Sequence, residues 1–269
     1  MGDRIRDAAQ GFDHNAAAYE AARPSYPAEA VAHMVGHGRI GPGRRVLDLA
    51  AGTGKLTRLL VPTGADVVAV EPIAAMRDVL LAQLPGVEVL DGTAEALPLS
   101  AGSVDAVTVA QGFHWFDAPV ALAEMRRVLR PGGHLFLVWN TRDRGHAWVR
   151  RFGDLLVDDD PDAERPYDSY HDVDYAAVVA EAGAGGFTPV ELWEHAWEQP
   201  CDPDLLVARA ESVSVVGSLP PADRRRVLGR IRDLARTHPD LAGRDRFGFP
   251  YTTRVYRCRR RSHPGSSSE

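Results

Sequence analysis

The sequence predicts an α/β protein built on a mostly parallel β-sheet. Three observations lead there. Between Arg45 and Asn140 short apolar runs alternate with helical stretches, the pattern of βαβ units. Those runs are β-branched and nearly continuous, as suits strands covered on both faces. Two further strand-like runs follow late in the chain. With 269 residues, 45% hydrophobic and 25% charged, the composition is that of an ordinary globular protein. A chain of this size buries roughly three quarters of its unfolded surface, enough to enclose a pocket.

Taken in order, residues 1–40 read as helices interrupted by a polar loop at Arg23-Pro24-Ser25-Tyr26-Pro27. Strands are expected at Arg45–Ala50, Asp66–Glu71, Val87–Leu90, Val104–Ala110 and His134–Trp139. Helices are expected between them at Lys55–Val61 and Ile73–Gln83, and again after Asp117, whose carboxylate suits an N-cap with Pro119 in the first turn. Leu122, Met125 and Leu129 have the spacing of a buried stripe on that helix, and Pro131-Gly132-Gly133 marks its end. Residues 145–182 read as helical and acidic, with a turn at Asp158-Asp159-Asp160-Pro161. Phe187–Glu198 reads as a strand, Pro203–Ser214 and Pro220–Arg236 as helices, and Phe247–Cys258 as a last strand. The two late strands are expected to add an antiparallel edge, completing seven.

A net charge of −6 argues against a nucleic-acid partner, which usually meets a basic face. The basic run Arg254, Arg257, Arg259, Arg260 and Arg261 reads as a strand edge entering a solvated end, and Arg224-Arg225-Arg226 as an exposed helix face. Cys201 and Cys258 form no CxxC pair, so a disulfide framework or zinc site is not expected. His33 and His37 share a helix face but lack a third ligand, and read as a solvated helix end. A polar start and the lack of any long apolar run predict a cytoplasmic protein without a membrane span, monomeric or homodimeric.

The most informative segment is Val46-Leu47-Asp48-Leu49-Ala50-Ala51-Gly52-Thr53-Gly54-Lys55-Leu56-Thr57. A strand runs into a glycine-containing turn that opens a helix, letting backbone approach a ligand closely. Glu71, at the end of the next strand, is placed to accept both hydroxyls of a ribose. A P-loop fails here because Leu56 replaces the hydroxyl residue and Leu49 the first glycine. A dinucleotide fingerprint fails because the run from Ala50 to Lys55 lacks its first and third glycines. The pattern D-x-A-x-G-x-G of an S-adenosylmethionine turn is met by Asp48, Ala50, Gly52 and Gly54.

The chain resembles class I S-adenosylmethionine-dependent methyltransferases, in particular the small-molecule group that includes trans-aconitate methyltransferase-like enzymes. Four segments carry the likeness in order: residues 46–54, Gly92-Thr93-Ala94-Glu95-Ala96-Leu97-Pro98, Ala110-Gln111-Gly112-Phe113-His114-Trp115-Phe116-Asp117, and Arg127-Val128-Leu129-Arg130-Pro131-Gly132-Gly133. The resemblance implies a Rossmann-like methyltransferase fold: a mostly parallel seven-stranded sheet with an antiparallel last strand, an N-terminal helical lid and a helical cap insertion. It implies one domain over 1–258, with the lid at 1–40, a cofactor core at 41–140, a cap holding the sixth strand at 141–246, the last strand at 247–258 and a flexible tail at 259–269.

By position, the resemblance implies that Asp48 orients the turn and faces the cofactor's amino group, while Ala50, Gly52 and Gly54 lie against its methionine portion. Glu71 would hold the ribose, with Pro72 and Met76 on the adenine and Thr93, Ala94 and Glu95 at its edge. Thr93 stands where the family carries an acidic residue. Gln111 would lie under the methionine portion. Phe12-Asp13-His14, Tyr19 and the Arg23–Pro27 loop resemble the family's lid, where a tyrosine face suits a sulfonium and Arg23 suits the cofactor carboxylate. Helix packing is the other reading of Tyr19 and Tyr26.

Methyl transfer needs donor and acceptor held in line, and a base only where the acceptor is protonated. His114 is the candidate base, with a structural histidine as the alternative. Phe113 and Trp115 suit a pocket wall, and Trp139, Asn140, Trp148, Tyr170 and His171 are candidates for the acceptor side. The expected acceptor is a small molecule offering oxygen, as carboxylate or hydroxyl. Sulfur, nitrogen and carbon acceptors are alternatives, as are a non-methylating relative and a nicotinamide-dependent oxidoreductase.

Overall fold

A computed structural model describes residues 22–157, 173–183 and 185–262. Tyr19, the Phe12–His14 segment, the Asp158–Pro161 turn, Tyr170, His171 and residues 263–269 lie outside the described residues. Strands β1 (Arg45–Leu49), β2 (Asp66–Val70), β3 (Glu88–Leu90), β4 (Val104–Ala110), β5 (Leu129–Arg142), β6 (Glu191–Cys201) and β7 (Phe247–Arg259) form one sheet in the order β3-β2-β1-β4-β5-β7-β6. The first five pair in parallel. β7 lies between β5 and β6 and is antiparallel to both. It alone therefore opposes the others, and the edge strand β6 runs with them, so the expected antiparallel edge is an antiparallel penultimate strand.

The helices are α1 (Ala28–Gly38), α2 (Thr57–Leu60), α3 (Ala74–Gln83), α4 (Ala118–Val128), α5 (Ala147–Leu156), α6 (Tyr175–Ala182), α7 (Pro203–Glu211), α8 (Ser214–Gly217) and α9 (Pro221–Thr237). Successive strand residues face opposite sides. Leu47, Val107, Leu135 and Tyr256 accordingly pack with α4 and α6, through Leu122, Met125, Tyr175 and Val179. Val46, Ala106, Phe136 and Val255 pack with α1 and α2, through Ala30, Met34 and Leu60. A third cluster joins α5, α7 and α9 to Cys201, Phe249 and Tyr251 at the far ends of β6 and β7. Both faces of the parallel strands are covered, which explains their continuous apolar runs.

The Asp117 carboxylate accepts from the Val120 N–H at 3.4 Å, the expected N-cap. Leu129 is buried but begins β5, because its backbone has already turned extended at ψ 140°. Pro131-Gly132-Gly133 consequently lies inside a long, irregular β5 and not between a helix and a strand. A Cβ on Gly133 would meet the carbonyl oxygens of Arg130 and Asp105 at 2.9 Å, so only glycine permits that entry. Phe187 makes an isolated bridge with Arg260, and β6 itself starts at Glu191. His33 is half-buried and stacks on Trp193 with centroids 4.7 Å apart, while His37 is exposed, so only part of that helix end is solvated. No described helix is long and apolar enough to cross a membrane.

Candidate active site

The carboxyl ends of β1, β2, β4 and β5 lie side by side at one end of the sheet, the usual ligand end of an open α/β sheet. Ala50, just past β1, has φ +54°, and Gln111, just past the neighbouring β4, has φ +62°. Left-handed backbone at non-glycine residues costs energy and concentrates at functional sites. The two turns also touch: a Cβ on Gly112 would lie 2.9 Å from the Ala50 Cβ. Gly52 and Gly54 are left-handed as well, at φ +57° and +86°. At Gly54 a side chain would also strike Leu80, at 2.9 Å.

Two buried carboxylates organise this turn from opposite sides. Asp48 is 1% exposed. Its oxygens accept from the Thr57 hydroxyl at 2.6 Å and the Thr108 hydroxyl at 3.1 Å. Burial pushes its pKa up to about 6 against those bonds. The side chain thus points into the β1–β4 interior. Glu71 directly follows β2. Its oxygens accept the Gly52 N–H and the Ile73 N–H, each at 2.9 Å. Burial raises its pKa, opposed by those two backbone donors and by the charge of Arg77. A carboxylate has about four lone-pair sites, so each oxygen retains room for a further donor.

The remaining candidates are distributed around these two. Met76 is buried beneath the turn, its sulfur 3.6 Å from where a Gly52 Cβ would stand, and Pro72 is half-buried beside it. Thr93 and Ala96 form a tight bridge that presents Ala94 and Glu95. Glu95 Oε1 accepts from the Asp117 N–H at 3.0 Å, while Oε2 is buried without a described donor. Gln111 Nε2 donates weakly to the Asn140 carbonyl at 3.4 Å, linking the ends of β4 and β5. Asn140 is itself held, donating to the Ser25 carbonyl at 2.9 Å and accepting from the Thr253 hydroxyl at 2.6 Å.

His114 lies in a short 3-10 turn after β4, its ring 4.6 Å from Trp115 and 5.4 Å from Trp139. Burial lowers its pKa to about 4. Trp139 stacks on Tyr175 at 4.7 Å, and Phe113 meets Tyr175 edge-on at 5.9 Å, all three buried in the apolar cluster with α4 and α6. Trp148 is not part of it; it packs against Phe249 in the third apolar cluster, because α5 carries it there. Tyr26 packs in the core beneath α1, in keeping with its packing reading. Arg23 donates to the Ser212 carbonyl at 3.1 Å.

Two features were not singled out from sequence, one at the turn and one beside the third apolar cluster. The hydroxyls of Thr57 and Thr108 carry no motif of their own. Arg209, 3% exposed, donates to the Tyr251 hydroxyl, to Gln199 Oε1 and to the Ala22 carbonyl at 3.2 Å. It lies 4.6 Å over the Phe249 ring. Its Nε is buried without a described acceptor, and no described carboxylate pairs with it. The sequence signal was present: Arg209 follows Leu206 by three residues, on the buried stripe of α7.

An acidic residue after β2 bonded to a glycine turn after β1, on a sheet with an antiparallel strand beside β5, defines a class of nucleoside-cofactor enzymes. A family model described as a methyltransferase domain matches residues 47–137. An uncharacterised methyltransferase of Mycobacterium tuberculosis is 44% identical over 92% of this chain and 95% of its own. An uncharacterised methyltransferase-like protein of Schizosaccharomyces pombe is 32% identical over 91% and 93%. A solved structure from Anaeromyxobacter dehalogenans, described as a candidate type II methyltransferase, is 26% identical with a TM-score of 0.58, covering 89% of this chain and 97% of that one. The chain belongs to the class I S-adenosylmethionine-dependent methyltransferases. None of these three names states a methyl acceptor.

Proposed function

We propose that the protein transfers a methyl group from S-adenosylmethionine to an oxygen of a small anionic molecule, with a carboxylate as the accepting group. Bound S-adenosylmethionine supplies a sulfonium methyl that an acceptor oxygen takes by in-line displacement, the bonding pair returning to sulfur. The residues present suit that group. Glu71 accepts the two ribose hydroxyls through the oxygen sites not used by Gly52 and Ile73. Pro72 and Met76 border the adenine, with Thr93, Ala94 and Glu95 at its edge. Ala50, Gly52, Gly54 and Gln111 lie against the methionine portion, and Asp48 holds their turn from behind.

On the acceptor side, Arg209 is the observation that carries the reading. A buried guanidinium met among the described residues by neutral oxygens and the ring faces of Phe249 and Tyr251 has no described carboxylate to offset its charge and no described acceptor for its Nε–H. It stands past the carboxyl end of β5, where Tyr251 pairs with Arg142 two residues beyond Asn140. Charge-assisted bonding to a carboxylate relieves it. A carboxylate acceptor is already ionised at neutral pH and needs no base. For a hydroxyl acceptor, His114 is the residue that takes the proton. Burial keeps it neutral at pH 7 and, by lowering its pKa to about 4, also makes it a weak base, which favours the carboxylate.

Incubation with methyl-labelled S-adenosylmethionine and a panel of small carboxylates, alcohols, amines and thiols tests the proposal. Label in a base-labile methyl ester is the expected result. Label confined to amines, thiols or carbon overturns it.

A further inference from the structure

At the amino ends of the parallel strands, opposite the site just described, the surface carries a depression of about 890 Å³. It is lined by the last turns of α4, the start of β5, the loop before β6 and the residues after β7. Its cations are Arg126, Arg127, Arg259, Arg260 and Arg261, and no carboxylate is among its described lining residues.

Arg127 is fully engaged, holding Glu124 through Nε and Nη2 at 2.7 Å and the carbonyls of Leu97 and Leu99. Arg126, Arg260 and Arg261 meet no carboxylate among the described residues. Arg260 donates to the Leu129 carbonyl and Arg261 to the Phe187 carbonyl at 2.7 Å, both uncharged acceptors. Arg126 is exposed and makes no side-chain hydrogen bond or ion pair with a described residue. Earlier in β7 the pattern differs: Arg254 and Arg257 pair with Glu194 and Glu191 across the strand boundary. Arg260 and Arg261 run past the start of β6, where no glutamate stands opposite. Arg259 also borders the depression, although the β5–β7 register sets it opposite His134, on the strand face that Phe136 shares with α1.

In a chain with net charge −6, the three guanidiniums of Arg126, Arg260 and Arg261 gather around one depression with no carboxylate opposite them among the described residues. Gly132 and Gly185, with left-handed backbone and open space where a Cβ would stand, leave backbone accessible there, while the Arg126 side chain lies across Gly186. The volume falls in the range of small-molecule sites. Arginine forks match phosphate oxygens in pairs, and a compact ligand offsetting three of them carries several negative charges. We infer that this depression, lined by Arg126, Arg260 and Arg261, is a second binding site, separate from the methyl-transfer site, for a small molecule bearing more than one phosphate.

Isothermal titration of the full chain with inorganic tripolyphosphate at low salt tests the inference. One saturable site is expected, weakened roughly tenfold or more by Arg126→Ala and by Arg261→Ala and weakened by added salt. Arg126→Ala removes no described bond, so its fold serves as the control for Arg261→Ala. S-adenosylhomocysteine affinity is expected to stay unchanged in both variants. No saturable binding, or binding that both substitutions leave unaltered, overturns the inference. Tighter binding of a duplex oligonucleotide than of tripolyphosphate also overturns it and marks the face as a nucleic-acid surface.

Discussion

Glu71 Oε2 accepts the backbone N–H of Gly52 at 2.9 Å, so the residue after β2 holds the glycine turn that follows β1. Its other oxygen fixes the Ile73 N–H at the start of α3. One carboxylate thereby ties two loops together, so a ligand bond to Glu71 would be coupled to the geometry of the turn.

The contact between Gly112 and Ala50 should be equally sensitive. Gly112→Ala places a Cβ 2.9 Å from that of Ala50, which cannot shift without leaving its left-handed conformation. The variant is expected to lose about 1–3 kcal/mol of stability, read as a lower midpoint in thermal unfolding. Gly43→Ala, with open space around its Cβ but φ +77°, provides a comparison in which only backbone strain acts.

Asp48 should reveal itself through its hydroxyl partners. Thr57→Val removes the 2.6 Å donor from a carboxylate that is 1% exposed, and a loss of about 1–3 kcal/mol is expected. In an Asp48→Asn background the same substitution should cost less, because the charge is gone. Equal losses in both backgrounds, measured by chemical denaturation, would show that the bond to Asp48 is not what Thr57 contributes.

Two buried groups give opposite pH dependences. The folded pKa of Asp48 is raised to about 6, so the native state holds the extra proton and stability falls as pH rises from about 4 to 6. His114 is lowered from 6.5 to about 4, so the unfolded state holds the extra proton and stability is lost as pH falls through that window. Denaturation of His114→Phe across pH 4 to 7 should therefore show a steeper decline of stability with rising pH than the parent chain. An unchanged slope contradicts the assignment. For the same reason, methyl transfer should show no titration of His114 between pH 6 and 8.

Arg209→Met is expected to raise KM for an anionic acceptor roughly tenfold or more while leaving S-adenosylhomocysteine affinity nearly unchanged. Arg209→Lys should restore part of the loss. Parallel effects on both ligands would mean that the residue supports the fold and does not read the acceptor.

The parts of the site that were legible in the sequence are local ones. Asp48, Ala50, Gly52 and Gly54 fall in one strand–turn–helix segment, and Asp117 caps the helix that it precedes. Glu71 was legible because parallel strands bring the residue after β2 beside the turn after β1. What pairs with these residues was not. Thr108 reaches Asp48 across 60 positions, through the β1–β4 register. Arg209 meets Ala22 across 187 positions, through the docking of α7. Leu129 kept its expected burial but changed element, since the apolar spacing of a helix end and a strand start coincide there. The sense of β6 depended on β7 inserting beside β5, a tertiary choice that no local pattern records.

The measurement closest to the central claim is a calorimetric titration of S-adenosylhomocysteine into the parent chain and into Glu71→Gln. The structure predicts one site per chain in the parent, weakened roughly tenfold or more in the variant, because a ribose hydroxyl loses its ionised acceptor. No binding to the parent, or equal binding to both, would contradict the cofactor site assigned here.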